Sequence, residues 1–279
     1  MSIRAKRTLS RVIGYGLVIF LCMVVSFPIY WMFLTSISDE KEMYSANPPL
    51  LPLQVQSKAF VNLLDSSNID NWLVNTLIVA AGTAVAAVFI SIHGGYSLSR
   101  FRFQGATFFG ILLLATQMLP EALIVVPIYI IFRSLELLNS LFALVIINTA
   151  FTVPIGIWIM KGYFDTVPRE IEDAALVDGC SRLQALYKVI LPTSLPAVIA
   201  VAVIVFFEAW NEYLFASTLI SKQELWVTSV GLASFMGMFT TPIEQVMAAA
   251  LIFTLPVLLF YLLLQRYIIS GLTSGAVRG

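Results

Sequence analysis

The chain has 279 residues, is 59% hydrophobic and only 11% charged, and its 16 basic and 16 acidic residues cancel at neutral pH. A mean hydropathy of +0.91 is far from that of a soluble domain, and zero net charge removes the basic footprint of a nucleic-acid binder. Cys22 lies in an apolar run and Cys180 in a polar one, so the pair offers neither a disulfide framework nor a metal site.

Taken from its start, the chain opens with Arg4, Lys6, Arg7 and Arg11, followed by an apolar run to about Ser36. That run is too long for a cleaved signal peptide and no A-x-A site closes it, so it reads as a retained first span. Apolar stretches of the roughly 20 residues needed to cross a bilayer fall at about 12–36, 72–98, 107–132, 140–160, 196–220 and 245–267. Pro28, Pro120, Pro127, Pro154 and Pro256 lie within them, tolerable where neighbouring helices cover freed carbonyls.

Basic residues orient the spans. With the N-terminus inside, Arg4, Lys6, Arg7, Arg11, Arg100, Arg102, Lys161, Arg169, Arg182, Lys188, Arg266 and Arg278 are cytoplasmic, and only Lys41, Lys58, Arg133 and Lys222 are outside. This asymmetry obeys the positive-inside rule. The expectation is an all-α integral membrane protein, multi-pass in the cell inner (cytoplasmic) membrane. It has six transmembrane helices, both termini cytoplasmic, and one transmembrane domain over 1–279. The outside segments are 37–71, 133–139 and 221–244; the first holds Asn47-Pro48-Pro49 and Pro52, with a short helix predicted near Phe60–Leu64.

The cytoplasmic stretch from Asp165 to Pro196 is the one long polar interruption that also has helical periodicity. Thr166 is placed to cap a helix with Pro168 in its first turn. Glu170, Glu172 and Asp173 then sit near the positive end of its dipole. Small Ala174 and Ala175 follow, and Gly179 is suited to the left-handed residue that ends a helix. Ser181 and Gln184 have capping-box spacing for a second helix. Leu183, Leu186, Tyr187 and Ile190 form a predicted apolar stripe, and Leu191-Pro192 is expected to end it. Two short helices around a glycine turn make a knob for a docking partner; the blander reading is an amphipathic hairpin on the membrane surface.

Asp173-Ala174-Ala175, Gly179, Val189 and Leu191-Pro192 resemble the EAA signature of bacterial ABC importer permeases, which reads Glu-Ala-Ala, three residues, Gly, nine residues, Ile, one residue, Leu-Pro. Asp173 stands for the glutamate, with Glu172 just before it, and Val189 for the isoleucine. The resemblance extends along the chain to carbohydrate-type permeases. Gly95-Tyr96-Ser97-Leu98-Ser99-Arg100-Phe101-Arg102-Phe103 is similar to the end of their second span. Pro154 with Ile157-Trp158-Ile159-Met160-Lys161-Gly162-Tyr163-Phe164 is similar to their fourth, and Trp210-Asn211-Glu212 to a segment of their fifth. The tail from Gly271 to Gly279 resembles that of the second permease of maltose-type importers.

The resemblance implies a type I ABC importer permease moving a sugar or oligosaccharide by alternating access. It implies as partners a homologous permease, two ATP-binding cassette subunits and an extracytoplasmic solute-binding protein. Glu170, Glu172, Asp173, Ala174, Ala175, Asp178 and Gly179 are then the expected ATPase-coupling residues. Ala174 and Ala175 would allow close approach to a groove, and the acids would pair with basic residues of the ATPase.

The chain has no G-x-x-x-x-G-K-[ST], so ATP hydrolysis is expected in the partner subunits and no cofactor here. His93, the single histidine, reads as a hydrogen-bonded packing residue. Glu121, Glu208, Asn211 and Glu212 fall within apolar runs, as do Gln117 and Asn148. Ionisable groups at membrane depth are costly and usually face a cavity or partner. Glu208 and Glu212, four apart, are predicted to share a face of the fifth helix with Asn211 beside them, flanked by Trp210. That face and Glu121 are the candidate translocation path, against a plain interhelical bonding role that Gln117 and Asn148 fit better. Importers of glycerol phosphate or a polyol would use the same machinery. A secondary transporter would use the glutamates as an ion relay, but no inverted repeat is evident. A non-transporting scaffold could also use the central loop.

Overall fold

The computed structural model describes residues 3–45, 47–52, 54–66, 68–237 and 241–276. Val277, Arg278 and Gly279 of the tail lie outside the described residues, as do the side chains of Arg4, Lys6, Arg7 and Arg266. Among the described residues the regular elements are all helical. The chain divides into two compact units, residues 1–67 with 234–254 and residues 68–233 with 255–279.

The first unit contains α1 (Ile3–Ile37), α2 (Glu40–Met43), α3 (Lys58–Ser66) and the start of α14 (Ile243–Ala276). α1 presents exposed apolar side chains on most of its length, from Ile13 to Phe33, the composition a lipid environment permits. Leu34, Thr35, Ser36 and Ser38 are buried at its end, as is Leu63 of α3, which is longer than the short helix predicted near Phe60–Leu64. Asp39 Oδ1 accepts the Lys41 backbone N–H at 2.9 Å, and its Oδ2 accepts from Gln56 Nε2 at 2.9 Å. These contacts lower the Asp39 pKa, the Lys41 amide contributing most and Gln56 next.

The second unit is built on α4 (Ile69–Arg100) and α7 (Leu141–Thr166), with α11 (Leu195–Asn211) against both. The seam of α4 is small and regularly spaced: Ala80, Thr83, Ala87 and Ser91 are all 0% exposed, and Gly95 continues the row. α7 answers with Asn148, Thr152, Gly156 and Met160, one per turn and all buried. Small residues let helix backbones approach where lipid removes the hydrophobic drive. At Gly95 a Cβ would lie 2.6 Å from the Met160 Cβ and 2.8 Å from the Lys161 backbone N, so only glycine fits.

Two predicted spans are broken. The third is α5 (Ala106–Thr116) and α6 (Glu121–Ser134), bent by 96°. Pro120 stands at the break rather than inside a helix, where it disfavours helix in the residue before it. The fifth span ends as α11 at Asn211, well before the expected residue 220; α12 (Leu214–Leu219) is a separate helix. Four uninterrupted apolar helices, the pair α5 and α6, and a second pair in which residues 182–193 bend by 81° into α11 make up to six candidate spans.

The outward ends are tied together. Asn139 Oδ1 accepts the amides of Ser221 and Lys222 at 2.7 and 3.0 Å. Trp72 Nε1 donates to the Gln223 carbonyl, and Asn75 Nδ2 to those of Glu224 and Trp226. Residues 223–226 therefore lie on the start of α4, and α13 (Thr228–Ser234) follows them.

Candidate functional site: an exposed cytoplasmic helix and a carboxylate-lined cavity

The cytoplasmic knob begins with α8 (Arg169–Val177). α7 runs through Thr166, whose hydroxyl donates to its own helix at Tyr163, so Thr166 does not cap α8. Pro168 is the N-cap residue instead, without a side-chain cap bond. Gly179 ends the helix at φ +88°. Its N–H reaches the Leu176 carbonyl at 3.1 Å and the Cys180 N–H reaches that of Ala175 at 3.0 Å, the two bonds of a Schellman motif. Ser181 and Gln184 form both halves of the predicted capping box on α9 (Arg182–Ala185).

From there the chain departs from the prediction. Residues Leu186–Ile190 form a π-helical turn, and the helix runs on through α10 (Leu191–Thr193). The Leu191 N–H bonds to the Leu186 carbonyl, one residue further back than in an α-helix. Pro192 therefore sits inside the segment, and the 81° bend comes after Thr193. The wide turn also splits the expected stripe: Leu186 and Ile190 are buried, whereas Leu183 and Tyr187 are exposed. The Tyr187 hydroxyl lies 2.9 Å from His93 Nε2, and His93 Nδ1 lies 2.8 Å from the Phe89 carbonyl, giving the histidine two hydrogen-bond partners.

α8 has two faces. Outward are Ile171, Asp173, Ala174 and Val177, with Glu170, Asp178 and Gly179 also exposed. Val177 is 87% exposed, unusual for a valine outside lipid. Inward are Glu172 and Ala175. Ala175 therefore packs on its own chain, and only Ala174 of the alanine pair is open to a partner. Glu172 is also not free for an outside cation. Its Oε2 lies 3.0 Å from Arg100 Nε, the Arg100 and Glu172 side chains being 4% and 6% exposed, and its Oε1 accepts from the Tyr96 hydroxyl at 2.5 Å. Arg100 Nη2 donates to the Val167 carbonyl at 2.9 Å. Arg169 Nη2 reaches the Ser99 carbonyl at 3.1 Å, while Ser99 Oγ donates to Asp165 at 2.6 Å. These contacts clamp α8 to the cytoplasmic ends of α4 and α7. Sequence reading missed the clamp because Tyr96 and Glu172 are 76 positions apart.

Deeper in the second unit is a cavity of about 320 Å³ lined by Glu121, Asn148, Thr152, Glu208, Asn211 and Glu212, among others. Its glutamates come from three places: the first turn of α6, the last turn of α11 and the break after it. Glu212 lies beyond the helix end at ψ 128°, so it does not share a helical face with Glu208, although both line the cavity. Its carboxylate accepts the amides of Phe215 and Ala216 at 2.6 and 3.0 Å, satisfying the exposed N–H groups at the start of α12. Asn211 Nδ2 donates to the Phe207 carbonyl of its own helix. Trp210 is 5% exposed and stacks on Phe206, so it packs among apolar residues and does not flank the opening. Gln117 Nε2 makes the expected interhelical bond, to the Phe151 carbonyl at 2.9 Å. Asn148 does not: its Nδ2 is buried and unpartnered among the described residues.

A bundle of apolar helices with bent third and fifth spans and a clamped cytoplasmic helix–turn–helix defines a class, the multi-pass permease of the cytoplasmic membrane with type I importer architecture. The chain belongs to the family described as binding-protein-dependent transport system inner membrane component, which matches residues 87–274. It is 38% identical over 280 residues to the inner membrane ABC transporter permease protein YcjP of Escherichia coli, covering 98% of this chain and 99% of that one. The trehalose/maltose transport system permease protein MalG of Thermococcus litoralis is 32% identical over 271 residues, 96% of each chain. Among solved structures, a bacterial ABC transporter involved in import of the acidic polysaccharide alginate contains a chain that superimposes with a TM-score of 0.80 at 25% identity. That match covers 96% of this chain and 99% of the other.

Proposed function

We propose that this permease forms one half of the pathway of an ATP-driven saccharide importer, and that the outer face of α8 is where an ATP-binding cassette subunit docks. The observation carrying the docking assignment is the exposed row Ile171, Ala174 and Val177 on a helix whose other face is clamped by Glu172. Exposed apolar residues on a cytoplasmic helix mark a contact surface, and Ala174 at its centre admits a close neighbour. Asp173 and Asp178 flank that row and are available to basic groups of the partner; Glu170 is likewise exposed. Two ATPase subunits, a homologous permease and an extracytoplasmic solute-binding protein complete the proposed assembly, in keeping with the family. A saccharide is supported by the trehalose/maltose name of one relative and the alginate title of the structural neighbour.

In this reading ATP-driven closure of the ATPase pair moves α8, and the clamp carries that motion into α4 and α7. The cavity bounded by Glu121, Glu208, Asn211 and Glu212 belongs to the solute path. Ala174→Arg puts bulk and charge at the proposed contact without touching a span. It should reach the membrane at the parental level, lose capture of the ATPase in a pull-down, and lose solute uptake. Parental capture and uptake in this variant would remove α8 as the docking site.

A further inference from the structure

The lining of the cavity carries more than its volume. At about 320 Å³ it is at the lower end of the size range of small-molecule sites. Glu121 and Glu208 are exposed carboxylates on its wall, and among the described residues no lysine, arginine or histidine lines it to neutralise them. Glu212 already has both carboxylate oxygens on the amides of Phe215 and Ala216. A second, independent feature is Asn148. The residue is on the cavity wall and is 5% exposed, and its buried Nδ2 has no hydrogen-bond partner among the described residues. A buried donor left unpaired costs free energy that an incoming acceptor would recover.

The wall thus offers two acceptor-only anionic groups and one orphan donor. A hydroxyl group satisfies both kinds, since it donates to a carboxylate and accepts from an amide. An ammonium group suits the carboxylates. A uronate or sulfonate would satisfy only Asn148 and would meet two like charges in a concave cleft that focuses their field. We infer that this cavity is a charge filter, admitting uncharged or cationic saccharide units to the path and refusing anionic ones. The inference rests on the reading of the cavity as part of the solute path, and its test separates the two. The three glutamates are not grouped closely enough to hold a metal ion, so the selectivity is one of field and hydrogen bonding rather than chelation.

The probes are two thiol reagents of similar size and opposite charge, trimethylammonioethyl and sulfonatoethyl methanethiosulfonate. They are applied to the assembled importer in sealed vesicles, from each membrane face. Cys22 and Cys180 are first replaced by serine, and Tyr213→Cys or Leu214→Cys then supplies one thiol on the cavity wall, with two positions guarding against a variant that fails to assemble. Rates are normalised to those with a free thiol. The expected cationic-to-anionic ratio is about tenfold or more, as a focusing acidic cleft produces, and it falls close to one when Glu121→Gln and Glu208→Gln are added. Reaction of both reagents at equal normalised rates overturns the filter and leaves the path standing. A tenfold ratio that survives the two neutralising changes overturns the assignment to these carboxylates. Reaction of neither reagent from either face, at both positions, removes the cavity from the path and the filter with it.

Discussion

Arg100→Met tests whether the clamp transmits force. The Arg100 guanidinium and the Glu172 carboxylate are 4% and 6% exposed and 3.0 Å apart. Removing one partner of a buried ion pair strands the other charge and costs about 3–5 kcal/mol. Arg100→Met also strands the Val167 carbonyl at the end of α7. The α8 helix has nine residues, too few to persist in water unaided, so the loss should appear as local opening rather than global unfolding. At about 1.4 kcal/mol per tenfold change, amide protection across residues 168–180 should fall by roughly 10²-fold or more. Hydrogen exchange of the assembled importer, read peptide by peptide, measures this. The same preparation should hydrolyse ATP with less solute moved per ATP. Exchanging both partners, Arg100→Met with Glu172→Leu, should restore most of the protection, since apolar replacements of buried pairs are often neutral. The Tyr96 hydroxyl then lacks its acceptor, at about 1 kcal/mol, and Tyr96→Phe removes that debt. Protection in Arg100→Met within about threefold of the parent, with an unchanged ratio of uptake to hydrolysis, would refute the transmission argument.

Other expectations follow from single sites. Gly179→Val has open space around it but a φ of +88°, so it should cost about 1–2 kcal/mol in backbone strain and misdirect α8; membrane level should be parental and uptake reduced. Gly95→Ala forces a Cβ to 2.6 Å from the Met160 Cβ. It should therefore lower the melting temperature of the assembly, with an overpacking cost of about 1–3 kcal/mol. Glu212→Gln keeps one acceptor where two amides need one each, costing about 1 kcal/mol, and should increase exchange of the Phe215 and Ala216 amides. The Asp39 pKa is depressed, so its contribution is present above the ordinary carboxylate value of about 3.9 and is lost as pH falls through the folded value. Contacts of Asp39 with Lys41 and Gln56 should therefore loosen on acidification below about pH 4, seen as faster proteolysis of segment 39–57 relative to an Asp39→Asn control.

What the sequence disclosed was whatever local chemistry decides. Gly179 and the Ser181–Gln184 box were legible because a left-handed turn and a reciprocal cap need only neighbouring residues. Apolar run length located the six spans for the same reason. The end of α11 was hidden: no Gly or Pro stands at residues 211–213, and the break is held by Glu212 bonding forward to Phe215 and Ala216. Apolar composition on both sides of it reads as one continuous span. Pro192 misled in the opposite direction, because the π-helical turn before it makes room for a residue that lacks an N–H. Glu172 looked like a dipole-facing surface acid, since nothing local indicates that Arg100 and Tyr96 fold back onto it.

In the proposed docking, the placement of Glu172 explains why α8 needs a buried ion pair. A short helix that meets a moving partner must keep its direction while load is applied to its outer face, and its own hydrogen bonds cannot provide that. Apolar packing of Ala175 alone would give contact without a fixed angle, because such contacts are non-directional. The Arg100 and Tyr96 contacts converge on one carboxylate from a single neighbouring span, and Arg169 returns from α8 to the Ser99 carbonyl. Two anchoring points along α8, at Arg169 and Glu172, oppose rotation about either one. Under that proposed docking, a push on Ala174 is then delivered to the end of α4, which packs along α7 through the tight Gly95 contact. Loss of the Arg100–Glu172 anchor in the proposed docking lets α8 open locally, so that a push on its outer face no longer reaches α4.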